Sequence, residues 1–155
     1  QAIVLANRMH DKVSATKDNL IASRDGTSRR ENDLKLELAK LISQELGKPY
    51  KWGGTGPDGY DCSGLVYSIY GKLGISLPRT ARDQAGAGTY VSKEELQYGD
   101  LVLFARDGKN INHVGIYVGD GKMVHSPQTG DVVKFTTIMS GYYERCYYTA
   151  RRVIN

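Results

Sequence analysis

The chain has 155 residues, enough for one domain with a single hydrophobic core. Its composition, 40% hydrophobic and 25% charged, is that of an ordinary soluble globular protein. No apolar run approaches the length of about 18 residues that a membrane-spanning helix needs, so we expect no such span. The net charge of +4 suits a polyanionic partner of any kind and does not distinguish nucleic acid from other polymers.

The first 31 residues carry little pattern. A short amphipathic stretch at residues 3–13 is followed by a polar stretch, and we predict that residues 1–31 are a linker or the tail of an upstream element. The chain begins at Gln1 without an initiator Met or a signal-peptide pattern, so we expect it to be part of a longer, multidomain chain. A small basic cluster in this segment has no interleaved aromatic residues, and we therefore predict no nucleic-acid partner.

The predicted folded domain spans residues 32–155 and begins with a helix. Apolar residues recur at helical spacing from Leu34 to Leu46, with Asn32 as the predicted N-cap. Gly47 suits the position just after a helix end, and Pro49 stops the helix. A glycine-rich loop at residues 52–56 follows.

A second helical pattern starts at Cys62. Leu65, Val66, Ile69 and Leu73 form its apolar stripe, so Cys62 falls in the first turn. Backbone N–H groups and the positive end of the helix dipole stabilise a thiolate at such a position, which lowers the pKa of the thiol and favours a nucleophile. Taken by itself, the stretch favours the structural alternative, in which the cysteine is a small buried residue.

Further along, the pattern changes to strands. Thr80 is predicted to cap a short helix, and a Gly-Ala-Gly turn at residues 86–88 comes before several short β-prone runs. Asp120-Gly121 predicts a hairpin turn. Helices first and antiparallel strands second indicate an α+β fold. The predicted strands are Asp100–Phe104, His113–Val118, Lys122–Ser126, Val132–Phe135 and Tyr147–Ile154.

The two cysteines, Cys62 and Cys146, lie 84 residues apart and form neither a disulfide framework nor a zinc-site spacing. Cys146 sits in the aromatic run 142–148, which we predict to be β-prone. We therefore interpret Cys146 as a buried structural thiol.

A cysteine nucleophile needs a base within hydrogen-bond reach and a group that orients the base. The chain has three histidines, and His10 lies in the weakly patterned first segment, where we expect it to be solvated. His113 and His125 flank the predicted hairpin. Either alone would be interpreted as structural, but two on neighbouring strands, with a helix-terminal cysteine elsewhere, indicate a site.

The register of this hairpin tests the interpretation. A strict two-residue turn at Asp120-Gly121 pairs Ile116 with His125 and puts His113 on the opposite face of the sheet. A three-residue loop or a bulge brings both imidazoles to one face. The catalytic interpretation requires the second arrangement.

Six short motifs follow one another along the chain: Trp52-Gly53-Gly54, Asp61-Cys62-Ser63-Gly64-Leu65-Val66, Leu77-Pro78-Arg79-Thr80, Gly99-Asp100-Leu101-Val102, His113-Val114-Gly115-Ile116-Tyr117-Val118-Gly119 and Met123-Val124-His125. The cysteine and the first histidine are 51 residues apart, and the second histidine follows 12 residues later. In order and spacing these motifs resemble the NlpC/P60 peptidase family, over about residues 34–154.

The resemblance implies a papain-like α+β fold in which the cysteine helix packs on a small antiparallel sheet or barrel. It also implies hydrolysis of stem peptides in the bacterial cell wall, typically between D-γ-glutamate and the diamino acid. Matched by position, Cys62 would be the nucleophile, His113 the base and His125 the group that orients it. The implied substrate contacts are Tyr50, Asp61 and Ser63.

More than one role remains open for Asp61 and for Arg79. Asp61 and Ser63 match positions that in several members hold a terminal amine, but Asp61 is equally suited to cap the helix, and both roles are compatible. Arg79 is expected either to form a salt bridge within the chain or to meet a substrate carboxylate.

The expected mechanism is acyl transfer without a metal or organic cofactor. A Cys62 thiolate paired with the His113 imidazolium would attack the carbonyl, backbone N–H groups at the helix start would stabilise the oxyanion, and water would resolve the thioester. Two alternatives remain: an N-acetylmuramoyl-L-alanine amidase or acyl transferase on the same fold, and an inactive wall-binding module. We expect a secreted monomer at the cell wall, with peptidoglycan stem peptides as its partner and an undetermined diamino-acid preference.

Overall fold

The computed structural model describes residues 26–155, with side chains from residue 29 onward. The predictions for residues 1–25, including the short amphipathic stretch and His10, lie outside the described residues. In chain order the elements are α1 (Gly26–Glu45), α2 (Cys62–Lys72), α3 (Ala81–Gln84), β1 (Thr89–Tyr90), a 3-10 turn (Lys93–Glu95), β2 (Leu101–Phe104), β3 (His113–Tyr117), β4 (Lys122–His125), β5 (Lys134–Thr137), α4 (Gly141–Cys146) and β6 (Tyr147–Arg152).

Helix α1 starts earlier than predicted. It already includes Gly26, the first residue that the structure describes, so the predicted N-cap at Asn32 is wrong, and Asn32 is instead a buried residue inside the helix. The arginines and glutamate of residues 29–31 are good helix formers, and an outer turn facing solvent needs no apolar stripe to extend the helix. The predicted end is confirmed, because Gly47 has a positive φ of 86° and donates its N–H to the Val133 carbonyl.

Helix α2 presents the apolar face expected from the sequence. Leu65, Val66 and Ile69 are buried. At Gly64 a Cβ would collide with the carbonyl oxygen of Gly54, so the absence of a side chain lets the glycine-rich loop lie directly on the first turn. The start of α2 and the preceding loop are therefore one packed unit.

The sheet has six antiparallel strands in the order β1-β6-β2-β3-β4-β5. The α+β prediction is confirmed. Among the described strands β1 and β5 form the two edges, so the sheet is open, and the barrel form of the prediction is not the one observed.

Three features of the strand region differ from the sequence predictions. Strand β5 starts at Lys134, two residues later than predicted, and the short β1 was not predicted. The run that looked β-prone forms helix α4 before it enters β6. Tertiary contacts of α4 described below override the β-propensity of its tyrosines. The short helix α3 is capped as predicted, since Thr80 Oγ1 accepts the Asp83 N–H at 3.2 Å.

The two faces of the sheet carry different cores. Helices α1 and α2 pack on one face, and a smaller cluster that includes Phe104, Met123 and Ile138 covers the other. Burying each such side chain contributes about 1.5–3 kcal/mol, so the larger cluster dominates the stability of the domain. Within residues 26–155 no helix is long and apolar enough to cross a membrane. The larger core consists of buried residues such as Leu38, Ile42, Leu65, Ile69, Leu101, Leu103, Val114 and Ile116.

Candidate active site

The start of α2 is held by one carboxylate, that of Asp61. Its Oδ1 accepts the Gly64 N–H at 2.6 Å and caps the helix, while its Oδ2 accepts the Gly53 N–H at 3.1 Å. The helix-cap interpretation of Asp61 is confirmed. The second hydrogen bond ties the glycine-rich loop to the same carboxylate, which fixes the surroundings of Cys62.

Arg79 engages both oxygens of the same carboxylate. Its Nη1 and Nη2 lie 3.1 Å from Oδ1 and 2.8 Å from Oδ2 of Asp61, and Nη1 also donates to Ser63 Oγ at 2.8 Å. A bidentate pair of this kind is stronger than a single neutral hydrogen bond and sets the orientation of both partners. Of the two expectations for Arg79, the structure shows the internal salt bridge. A substrate ammonium bound by Asp61 and Ser63 would have to share these oxygens with Arg79.

Cys62 is the first residue of α2 and is partly buried. Burial raises the pKa of its thiol, and this outweighs the hydrogen bonds from the backbone of Val114 and Ser63, which lower the pKa. The prediction that the helix terminus lowers the pKa below its ordinary value is therefore wrong for the free site, because desolvation disfavours the charged thiolate. The contact with Val114 places the thiol beside β3, one residue from His113.

Tyr50 lies close to this cysteine. Partial burial raises the pKa of its phenol, and the negative charges of Cys62, once its thiol is ionised, and of Asp61 raise the pKa further. That electrostatic coupling shows that Tyr50 lies close to both Cys62 and Asp61. We refer to Tyr50, Asp61, Cys62, Ser63 and Arg79 as the cysteine side of the site.

The hairpin between β3 and β4 has the register that a shared site requires. Ile116 pairs with Val124 and Tyr117 with Met123, and the Val118 N–H donates to the Lys122 carbonyl, which leaves a loop of three residues. All three loop residues, 119–121, have positive φ values, including Asp120 at 53°. Of the two alternatives for this hairpin, the strict two-residue turn is not the one observed, and the three-residue loop is confirmed.

As a result the two imidazoles face each other. His113 Nε2 and His125 Nδ1 lie 2.7 Å apart, and His125 Nε2 lies 2.8 Å from Thr136 Oγ1 on β5. Burial lowers the pKa of His113 to about 4, and burial together with the neighbouring His113 lowers the pKa of His125 even further. Both rings are therefore neutral at pH 7. Within the described residues Cys62 makes no side-chain hydrogen bond to His113, whose Nδ1 is left for another partner.

Helix α4 supplies an aromatic cover that the sequence analysis did not anticipate. The Tyr143 ring lies with its centroid 5.6 Å from that of His113 and 5.1 Å from that of His125, and 5.2 Å from that of Phe104. These contacts keep solvent from the imidazoles and hold their planes, which explains the burial that keeps them neutral. We refer to His113, His125, Thr136 and Tyr143 as the histidine side of the site.

Cys146 closes α4 and is a buried free thiol, as predicted. Burial raises the pKa of its thiol. No cluster of three or more His, Cys, Asp or Glu side chains in residues 26–155 is arranged to hold a metal ion. The candidate chemistry therefore rests on one thiol, the two imidazoles and the polar groups around them.

This fold and this grouping are those of a papain-like cysteine hydrolase, and the sequence comparisons agree with the class. The sequence profile of the NlpC/P60 family matches residues 47–152, and the chain belongs to that family. The matched region contains both sides of the site.

Curated relatives share the region at high identity. The chain is 44% identical over 125 residues to murein DD-endopeptidase MepH of Escherichia coli K12, which covers 77% of this chain and 46% of the relative. It is 49% identical over 109 residues to the gamma-D-glutamyl-L-lysine dipeptidyl-peptidase of Bacillus subtilis 168, an alignment that covers 69% of this chain and 37% of the relative. The chain thus spans less than half the length of either relative.

Solved structures give the same result. An NlpC/P60 family protein from Bacillus cereus ATCC 10987 superposes with a TM-score of 0.76 at 41% identity, covering 78% of this chain and 40% of that one. The NlpC/p60 domain of the peptidoglycan hydrolase SagA superposes with a TM-score of 0.67 at 29% identity, and the match covers 76% of this chain and 97% of that domain. The papain-like NlpC/P60 fold is confirmed.

Proposed function

We propose that the chain is the catalytic domain of a peptidoglycan hydrolase, a cysteine endopeptidase that cleaves stem peptides of the bacterial cell wall. The observation that carries the proposal is the hydrogen-bonded pair of His113 and His125. His113 lies on β3, the strand whose next residue, Val114, contacts Cys62. A wall-binding module has no use for a buried, neutral base next to a thiol. The names of curated relatives from Escherichia coli and Bacillus subtilis support the substrate class.

The reaction begins with both groups neutral. As the sulfur of Cys62 attacks the scissile carbonyl, its proton passes to Nδ1 of His113, so the thiolate exists only within the reaction. This replaces the preformed thiolate–imidazolium pair expected from the sequence, because burial raises the pKa of the thiol and lowers that of the imidazole. Backbone N–H groups at the start of α2 stabilise the oxyanion.

The tetrahedral intermediate then collapses to a thioester. The His113 imidazolium gives its proton to the leaving amine, the C–N bond breaks, and the acyl group stays on Cys62. A water molecule, deprotonated by His113, attacks the thioester and releases the acid and the free thiol. His125 orients His113 throughout, since it holds Nε2 and leaves Nδ1 facing the reaction.

The cysteine side suits the acyl half of the substrate. Asp61 and Ser63 offer oxygens to a terminal ammonium group and Tyr50 a phenol, while Arg79 keeps the carboxylate in place. We propose the D-γ-glutamyl–diamino acid bond as the one cleaved, in line with the name of the Bacillus subtilis relative. The name of the Escherichia coli relative specifies a DD bond instead, so the bond needs a direct test.

The test is product analysis with a defined peptide, L-Ala-γ-D-Glu-L-Lys-D-Ala, followed by mass spectrometry. The expected products are L-Ala-γ-D-Glu and L-Lys-D-Ala. Cys62→Ala should abolish the reaction, while the matched variant Cys146→Ala, which removes the other thiol, should retain it. Activity retained by Cys62→Ala would end the proposal.

The same assay on purified peptidoglycan separates the alternatives. Freed lactyl carboxyl groups would identify an amidase. Cleavage only of bonds between two D-amino acids would identify a DD-endopeptidase, and binding without any product would identify an inactive wall-binding module. We also propose a secreted, cell-wall location and a monomeric catalytic domain within a longer chain.

A further inference from the structure

Thr136 on β5 ends the chain of hydrogen bonds that begins at His113. Its Oγ1 lies 2.8 Å from Nε2 of His125, a side chain that is only 1% exposed. A buried ring nitrogen without a partner is costly, so Thr136 satisfies an atom that solvent cannot reach. The motifs of the sequence contain no sign of this residue.

Two directions of the hydrogen bonds are possible, and only one leaves a base for the thiol. If Thr136 Oγ1 accepts from Nε2–H of His125, then His125 Nδ1 accepts from Nε2–H of His113, and Nδ1 of His113 is unprotonated. If Thr136 donates instead, both histidines carry their proton on Nδ1, and His113 cannot take the proton of Cys62.

We propose that Thr136 is a positioning residue that selects the first direction and so fixes the catalytic tautomer of His113 through His125. The proposal rests on the proposed function. It makes Thr136 the fourth residue of the site, after the nucleophile, the base and the histidine that orients the base. Thr136 lines an open cavity of about 520 Å³, so its own hydroxyl proton can go to solvent while its oxygen accepts from His125. Each proton in the chain then has an acceptor.

The experiment compares Thr136→Val, which keeps the shape and removes the hydroxyl, with Thr136→Ser, which keeps the hydroxyl. Thr136→Val should lower kcat at least about tenfold with an unchanged KM, and Thr136→Ser should restore kcat to within about twofold of the wild type. Nitrogen-15 NMR of the histidines should show His125 as the Nε2–H tautomer in the wild type and as the Nδ1–H tautomer in Thr136→Val.

A wild-type kcat in Thr136→Val, or a lower kcat with His125 still Nε2–H, would overturn the proposal. So would an Nδ1–H tautomer of His125 in the wild type at neutral pH, a measurement that needs neither a folded variant nor a substrate. If the wild type cleaves no stem peptide while the tautomers are as stated, the proposed function fails and the role of Thr136 stands.

The cavity next to Thr136 carries a second inference. Its wall includes His113 and His125, but none of the described residues of the cysteine side lines it. It is therefore a space separate from the acyl-binding groups, and the two imidazoles form part of its wall. His113 must protonate the leaving amine, so the leaving half of the substrate comes next to His113, which forms part of the wall of this cavity.

One cation in this cavity has no acidic partner among the described residues. The Asp131 carboxylate is paired with Lys134 at 2.9 Å, whereas Nε of Arg106 donates to the Tyr142 hydroxyl at 3.3 Å and no carboxylate of residues 26–155 pairs with the guanidinium. A guanidinium fork matches a carboxylate in two parallel hydrogen bonds. We infer that Arg106 binds a carboxylate of the leaving amino acid, an inference that also rests on the proposed function.

Calorimetry in a Cys62→Ala background tests this without turnover. The dissociation constant for L-Ala-γ-D-Glu-L-Lys should rise about tenfold when Arg106→Gln is added, and Arg82→Gln, an exposed arginine on α3, should leave it unchanged. The C-terminal amide of the same peptide tests the α-carboxylate, and an amidated meso-diaminopimelate peptide tests the side-chain carboxylate. An Arg106→Gln effect equal for all three peptides, or absent from all three, would overturn the inference.

Discussion

The two sides of the site are built on opposite electrostatic principles. On the cysteine side, Asp61 and Arg79 are charged, partly exposed and tied to each other and to the backbone of the glycine-rich loop. On the histidine side, His113 and His125 are buried, neutral and surrounded by aromatic rings. One side offers fixed charge to a polar substrate, and the other keeps water away from the base.

The difference explains why the thiol and the base rest in their neutral forms. A charge on His113 would have no carboxylate beside it, because its hydrogen-bond partner is another imidazole. A neutral thiol and a neutral imidazole cost less desolvation free energy in a buried site than a charged pair, and they become charged only while the substrate carbonyl takes up negative charge. The charged cysteine side can bind its half of the substrate without disturbing this balance.

The largest expected effect comes from removing the base. His113→Ala should lower kcat by about 10⁴-fold, because no other group can take the proton of the thiol. His125→Ala should cost less, about 10–100-fold, since the base remains and only its orientation is lost. Steady-state kinetics on the defined peptide measures both. Equal losses in the two variants would contradict the division of roles between base and orienting residue.

The packing of the loop on α2 gives the next largest effect, on stability. Gly64→Ala should destabilise the domain by about 3 kcal/mol or more, because its Cβ would collide with the Gly54 carbonyl. Gly71→Ala in the same helix has open space around it and should be neutral or stabilising by up to about 1 kcal/mol. Urea unfolding measures the pair, and similar free energies of unfolding would show that the loop does not rest on the helix as described.

The histidine side should also make the domain sensitive to mild acid. The folded pKa of His113, about 4, lies below its ordinary value of 6.5, so the unfolded chain binds more protons between these values and stability falls as pH falls. Between pH 6.5 and 5 the loss due to His113 should be about 1.5 kcal/mol. Urea unfolding at the two pH values measures this loss, and His113→Gln should remove the part due to His113. An equal pH dependence of the free energy of unfolding in the wild type and the variant would mean that His113 is solvated.

The smallest effect tests the charge of the cysteine side. Asp61→Asn keeps the cap oxygen but loses the negative charge, so KM should rise about tenfold for a peptide with a free α-amino group and hardly change for its N-acetylated form. Asp83→Asn, an exposed acid on α3, serves as the control. A KM increase of the same size for both peptides would assign Asp61 a purely structural role.

The sequence predicted most of the cysteine side and half of the histidine side. The cysteine at a helix start and the aspartate cap follow from local patterns, which depend on neighbours within a few residues. Whether the two histidines share a face depended on one loop residue, and the Asp120-Gly121 signal left the loop length open, because it does not show that Gly119 also takes a positive φ.

Thr136 and Tyr143 could not be predicted for a different reason. The local sequence around each residue does not mark it as functional. Its contact with the histidine pair arises only when the fold brings β5 and α4 against that pair. The helical form of residues 141–146 likewise depends on Tyr143 packing against Phe104, a contact between residues far apart in the sequence. Local propensity carries no information on such contacts.

The neutral resting state of Cys62 and His113 is the central claim and has a direct test. In a Cys146→Ala background, which leaves one thiol, the rate of alkylation of Cys62 by iodoacetamide is measured from pH 5 to pH 10.5. Because burial raises the pKa of this thiol above its ordinary value, the rate should rise in a single step above pH 9. A reactive plateau between pH 5 and pH 8 would show a preformed thiolate–imidazolium pair and contradict the account.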